Sequence, residues 1–72
     1  MAGSIDMIVK ARDGRHYRVD LELIKGAVSG LASSGHDVSR LPAGQAATEA
    51  LEYLLARQPF APGIKRVSRP GD

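Results

Sequence analysis

The sequence predicts a small α+β domain: an N-terminal antiparallel β-hairpin, a short helix, a longer helix and room for a short C-terminal strand, with the helices covering the inner face of the sheet. Three observations carry this. Apolar and polar residues alternate between Ile5 and Leu23, good helix formers run from Ala43 to Gln58, and 72 residues suffice for one small domain over 1–72.

In Ile5-Asp6-Met7-Ile8-Val9-Lys10-Ala11 the odd positions are apolar, and the even ones are polar except Ile8. The second arm repeats the period, with Tyr17, Val19, Leu21 and Leu23 set between His16, Arg18, Asp20 and Glu22. A two-residue turn at Asp13-Gly14 would oppose Val9 to Arg18 and Met7 to Asp20, mixing the faces. A three-residue loop of Arg12-Asp13-Gly14, with Gly14 left-handed, pairs Ala11 with Arg15, Val9 with Tyr17, Met7 with Val19 and Ile5 with Leu21. Every inward side chain then meets another, so this register is expected. The outer face becomes Lys10 beside His16, Ile8 beside Arg18, and Asp6 beside Asp20. Two opposed carboxylates repel, so that end should splay or find partners elsewhere.

The first helix is expected from about Glu22 to Ser33. Apolar residues at 21, 24, 28 and 31 form a stripe, Asp20 is a suitable N-cap, and Gly35 suits the position just past the end. Gly26 and Gly30 oppose it, each costing about 1 kcal/mol relative to alanine. Four residues apart, they share a face on which another backbone can approach closely, either within the chain or in a second copy. Val38 and Leu41 are the expected anchors of the connection that follows.

Pro42 opens the second helix, since proline is at home in a first turn. Ala47, Ala50, Leu51, Leu54 and Leu55 make its inward stripe, while Glu49, Glu52 and Arg57 are expected in solvent. Pro59 stops it, and Phe60 is expected to fold back over its end. Pro62-Gly63 makes a turn, leaving Ile64 to Ser68 for a strand added to the hairpin edge. The expected core is Met7, Val9, Tyr17, Val19, Leu21, Ile24, Val28, Leu31, Leu51, Leu54, Leu55 and Phe60. Residues 1–3 and 69–72 are expected to be loose.

Charge and composition narrow the function. Through Phe60, seven Lys and Arg balance seven Asp and Glu, and the net charge of +2 comes from the last twelve residues. A neutral body lacks the broad field of a dedicated nucleic-acid binder. There is no cysteine for a disulfide or a thiolate ligand, and two histidines with scattered carboxylates do not make a zinc site by spacing. No apolar run has transmembrane or signal length, so a cytoplasmic location is the default.

The chemical motifs are weak. Ser34-Gly35-His36-Asp37 has the letters of a nucleophilic triad, but neighbours in one short loop do not line up hydroxyl, imidazole and carboxylate. Ser34 and Asp37 are expected to tie down the turn. Gly30 to Asp37 resembles a phosphate loop only in its glycines, with His36 and Asp37 where lysine and a hydroxyl belong. No catalytic residue, cofactor, metal ligand or small-molecule substrate is expected.

The expected function is therefore that of a small bacterial-type accessory or regulatory protein acting by protein–protein interaction, with another protein or with itself as a homodimer. Its candidate surface is the outer hairpin face and tip, Ile8, Lys10, Arg12, Arg15, His16 and Arg18, together with Gly26 and Gly30. The alternative is a nucleic-acid-binding module that uses the basic hairpin tip and the tail with Lys65 and Arg66.

Overall fold

The computed structural model describes residues 5–67 of the chain. The expected loose ends at 1–3 and 69–72, and Ser68, lie outside the described residues. Its elements run β1 (Asp6–Lys10), β2 (His16–Asp20), α1 (Leu21–Ser33), α2 (Ala43–Arg57) and β3 (Ile64–Val67). This is the expected α+β order, with the C-terminal strand formed.

The strands make one antiparallel sheet in the order β1-β2-β3, so the second hairpin arm is central. The β1–β2 register is the one required by matching faces: Met7 opposite Val19, Val9 opposite Tyr17, Ile8 opposite Arg18 and Lys10 opposite His16. Gly14 adopts φ +91° and donates its N–H to the Ala11 carbonyl, while the Ala11 N–H bonds the Arg15 carbonyl at 2.8 Å. Only glycine enters that backbone region without strain, which is why the three-residue loop closes here. β3 continues the pattern with Ile64 opposite Val19 and Arg66 opposite Tyr17.

The like-charge pair at the open end remains in register, Asp6 opposite Asp20. The Asp20 carboxylate meanwhile accepts the Glu22 N–H at 2.8 Å and caps α1. At the other end, Gly35 takes φ +87°, Gly35 N–H bonds the Ala32 carbonyl, and His36 N–H reaches back to Leu31 at 2.8 Å. These paired bonds form a Schellman close, satisfying carbonyls that the last helical turn leaves without partners. Nearby, Ser34 Oγ donates to the Gly30 carbonyl and Asp37 accepts the Ser39 N–H at 2.9 Å, so both residues hold the turn. Proline 42 is the N-cap of α2 rather than its first helical residue, and its carbonyl accepts the first helical N–H, from Ala46.

The core joins Val9, Ala11, Val19 and Ile64 of the hairpin and β3 to Ile24, Ala27, Ala50, Leu51 and Leu54 of the helices. Met7, Tyr17, Leu23, Val28, Ala47 and Leu55 pack around it, partly buried. Phe60 is a correction: it is 95% exposed. The backbone turns from Gln58 to Ala61, where Ala61 N–H bonds the Gln58 carbonyl, and this places Phe60 at the turn's outer corner while Ala61 packs inward. Val38 anchors the connection between the helices as expected, but Leu41 is exposed. Among the described residues, no helix is long and apolar enough to cross a membrane.

Candidate binding face and hairpin tip

Period-two geometry assigns each strand residue to one of two faces. Val9, Val19 and Ile64 face the helices, so the opposite face carries three rows across the sheet: Asp6–Asp20, Ile8–Arg18–Lys65 and Lys10–His16–Val67. Neither helix covers this outer face. Ile8 is 44% exposed there, and Lys10, Arg18 and Lys65 are exposed around it. Arg66, next to Lys65 in sequence, projects to the helix side opposite Tyr17. The tail pair Lys65 and Arg66 is thus divided between the two faces.

Two cations at the tip, Arg12 and Arg15, are engaged by carboxylates. Arg12 forms an ion pair with Glu49 of α2 through its guanidinium, and its backbone N–H donates to Glu52 Oε2 at 2.9 Å. Arg15 contacts Asp13 at 3.5 Å, and its N–H donates to the same carboxylate at 2.9 Å. Thr48 Oγ1 donates to the Lys10 carbonyl at 2.7 Å and lies 3.1 Å from the Gly44 carbonyl. Three polar residues on one side of α2, Thr48, Glu49 and Glu52, therefore clamp the end of the hairpin.

This corrects the expectation that Glu49 and Glu52 form a solvated face. Both are half-buried because the hairpin tip crosses the helix where they project. Hydrogen bonding to Arg12 holds the Glu49 carboxyl below its ordinary range, burial opposes that shift, and His36, 3.7 Å away, adds to it. Arg12 shifts reciprocally upward through the same contact. The paired carboxylate ties the hairpin tip to α2.

Gly26 and Gly30 separate in role. A Cβ on Gly26 would meet nothing within 4 Å, whereas one on Gly30 would fall 2.4 Å from the Tyr53 hydroxyl. Gly30 is therefore part of the α1–α2 contact inside the chain, and Gly26 faces outward. Arg57 lies over the Tyr53 ring, 4.5 Å from its centre.

A groove of about 560 Å³ open to solvent lies between the hairpin tip and the first turns of α2, lined by Lys10, Pro42, Gly44, Gln45, Thr48 and Glu49. Among the described residues, no three of His, Cys, Asp and Glu come together as a metal cluster. Of the ten residues singled out from sequence, the fold gathers Ile8, Lys10, His16, Arg18 and Lys65 on the outer sheet face. It turns Arg12 and Arg15 to intramolecular partners, places Arg66 on the opposite face and covers Gly30 with Tyr53. Val67 joins the outer face without having been anticipated; only the β2–β3 register reveals it. Comparison with protein families, with curated proteins and with solved structures finds no match to this chain.

Proposed function

We propose that this chain is a non-enzymatic binding module that works in the cytosol and recognises an acidic, partly aliphatic segment of another protein on its outer sheet face. The observation that carries the reading is Ile8, an aliphatic side chain left 44% exposed beside Arg18 on a face that neither helix covers, with Lys10 and Lys65 on that face and the Asp6–Asp20 row at its open end. An apolar centre with a charged rim is the usual composition of a protein-binding patch. The cations around it favour a partner carrying carboxylates.

The nucleic-acid alternative loses its best support at the tip. Arg12 and Arg15 already contact Glu49 and Asp13, so the charge there is offset within the chain. What remains is a patch with an aliphatic side chain at its centre, better suited to a peptide than to a phosphate backbone.

The test is a titration of isotope-labelled protein with a synthetic peptide of alternating glutamate and valine, followed by amide shifts. Shifts centred on Ile8, Arg18 and Lys65, weakened about tenfold by Ile8→Glu, support the reading. A labelled DNA duplex that binds more tightly than the peptide, with affinity collapsing between about 50 and 200 mM salt, overturns it in favour of phosphate recognition. Shifts confined to the helical side overturn it as well.

A further inference from the structure

Strand β1 lies at the margin of the sheet, and among the described residues its backbone has one side without a strand. Hydrogen bonds from Ala11 N–H to Arg15 and from Leu21 N–H to Ile5 fix which residues form the bonded pairs of the hairpin: Ile5, Met7, Val9 and Ala11. The even residues Asp6, Ile8 and Lys10 therefore direct their own N–H and C=O groups away from β2. Among the described residues, part of this edge is covered at Lys10, by the Thr48 hydroxyl on its carbonyl. β1 carries no proline or bulge to prevent pairing there.

We infer that a second copy of this chain adds to the β1 edge, antiparallel, about a twofold axis through Ile8. The segment Asp6-Met7-Ile8-Val9-Lys10 reads as complementary to itself in that arrangement. Ile8 opposes Ile8 of the second copy, Asp6 opposes its Lys10, Lys10 opposes its Asp6, and Met7 opposes its Val9. Both Ile8 residues exchange N–H···O=C bonds, and each Lys10 N–H donates to the Asp6 carbonyl of the other copy. The Lys10 carbonyl stays with Thr48, which ends the new ladder at that point.

Charge selects this register. Within one chain Asp6 faces only Asp20 across the ladder, a like-charge pair. The second copy brings its Lys10 to the other side of Asp6 on the same face and offsets the repulsion. The two exposed Ile8 side chains also come side by side on the outer face. The β3 edge offers no such match, because the Ile64 N–H is already donated to the Ala61 carbonyl at 3.0 Å. The product is a continuous sheet of two three-stranded halves, with the outer faces of both copies side by side.

The inference concerns the strand edge and not the face, so its failure leaves the peptide titration of the face unaffected. Its test is sedimentation equilibrium across the micromolar to millimolar range, applied to four proteins and one mixture. The full chain is expected to dimerise. Asp6→Lys and Lys10→Asp each place like charges opposite one another twice and should weaken the dimer about tenfold or more. An equimolar mixture of those two variants restores complementary pairs at both positions, so it should dimerise as the parent does.

Ile8→Pro removes an N–H that the hairpin does not use and should be monomeric, with an unchanged circular dichroism spectrum. A monomeric parent across the whole range overturns the inference. So does a dimer indifferent to Asp6→Lys, or a mixture of the charge variants that stays monomeric.

Discussion

The Tyr53 phenol occupies the space that a side chain on Gly30 would need: a Cβ there would lie 2.4 Å from the hydroxyl and 2.7 Å from the ring carbon that bears it. The absent side chain lets α2 lay an aromatic ring against the backbone of α1. Arg57 stacks on the same ring, 4.5 Å from its centre, so displacing the ring disturbs that contact as well.

The two helical glycines should then respond oppositely to the same substitution. Gly26→Ala meets open space and should stabilise the fold by about 1 kcal/mol through helix propensity. That is a rise in Tm of roughly 4–8 °C for a domain of this size. Gly30→Ala gains the same propensity but forces Tyr53 aside, at a cost of about 1–3 kcal/mol, and Tm should fall. In a Tyr53→Ala background the Gly30→Ala change should become stabilising, a sign reversal that a double-mutant cycle reads directly.

Glu49 sets an acid-side dependence. Folding favours its ionised form through Arg12, so its carboxyl titrates below the ordinary value of about 4.3. The stability it contributes is complete above that ordinary value and is lost as pH falls through the lower, folded one. Urea midpoints of the parent and of Glu49→Gln should differ at neutral pH and converge in acid. The difference should be modest, because the Arg12 side chain is largely in solvent. Midpoints whose separation does not change with pH would show that the pair contributes nothing through ionisation.

Leu51 and Phe60 make a second contrast. Leu51 is fully buried, and Leu51→Ala should cost about 2–5 kcal/mol, enough to abolish a cooperative thermal transition in a domain with so small a core. Phe60→Ser, at a site in full solvent, should change stability by less than about 0.5 kcal/mol. Chemical denaturation of both variants checks the pair.

Gly63 governs how closely β3 approaches the rest of the sheet. Its carbonyl accepts the Asp20 N–H at 2.9 Å, and a Cβ on it would lie 2.7 Å from Leu23 Cδ1 and 3.0 Å from Asp20 Cβ. The leucine tip can move, but the aspartate Cβ is held by the strand and the cap. Gly63→Ala should therefore loosen β3 selectively, with hydrogen exchange at Arg18 and Lys65 amides accelerating while those of α2 stay protected.

Much of this architecture was legible in the sequence because several rules agreed at the same residues. A three-residue loop brings Met7, Val9, Tyr17 and Val19 to a common face where a two-residue loop does not, and Gly14 is the residue that loop requires. Asp20 and Gly35 likewise bracket α1 with a cap at each end. The failures came where a local rule met a neighbour it could not see. Phe60 reads as a core residue by its chemistry, but the turn begun at Gln58 decides where it points. Glu49 and Glu52 look solvated on an isolated helix, and only the path of the hairpin tip makes them partners of Arg12. The buried Ala11, Ala27 and Ala50 mark close approaches between elements, which side-chain size alone does not announce. On the outer face, Ile8, Lys10 and Arg18 were readable from alternation, whereas separating Lys65 from Arg66 required the β3 register.

β2 ends at Asp20 and α1 begins at Leu21, so sheet and helix meet without a spare residue. The strand thereby sets the rotational phase of the helix: one residue inserted at this corner would turn every following side chain by about 100°, carrying Ile24 and Ala27 off the core. The connection between the helices carries no helical phase, so length added at the exposed Arg40, beyond the Schellman close and the Val38 anchor, leaves both helical faces where they are. Natural or engineered lengthening of this chain belongs between its helices, and the corner at Asp20 must keep its spacing.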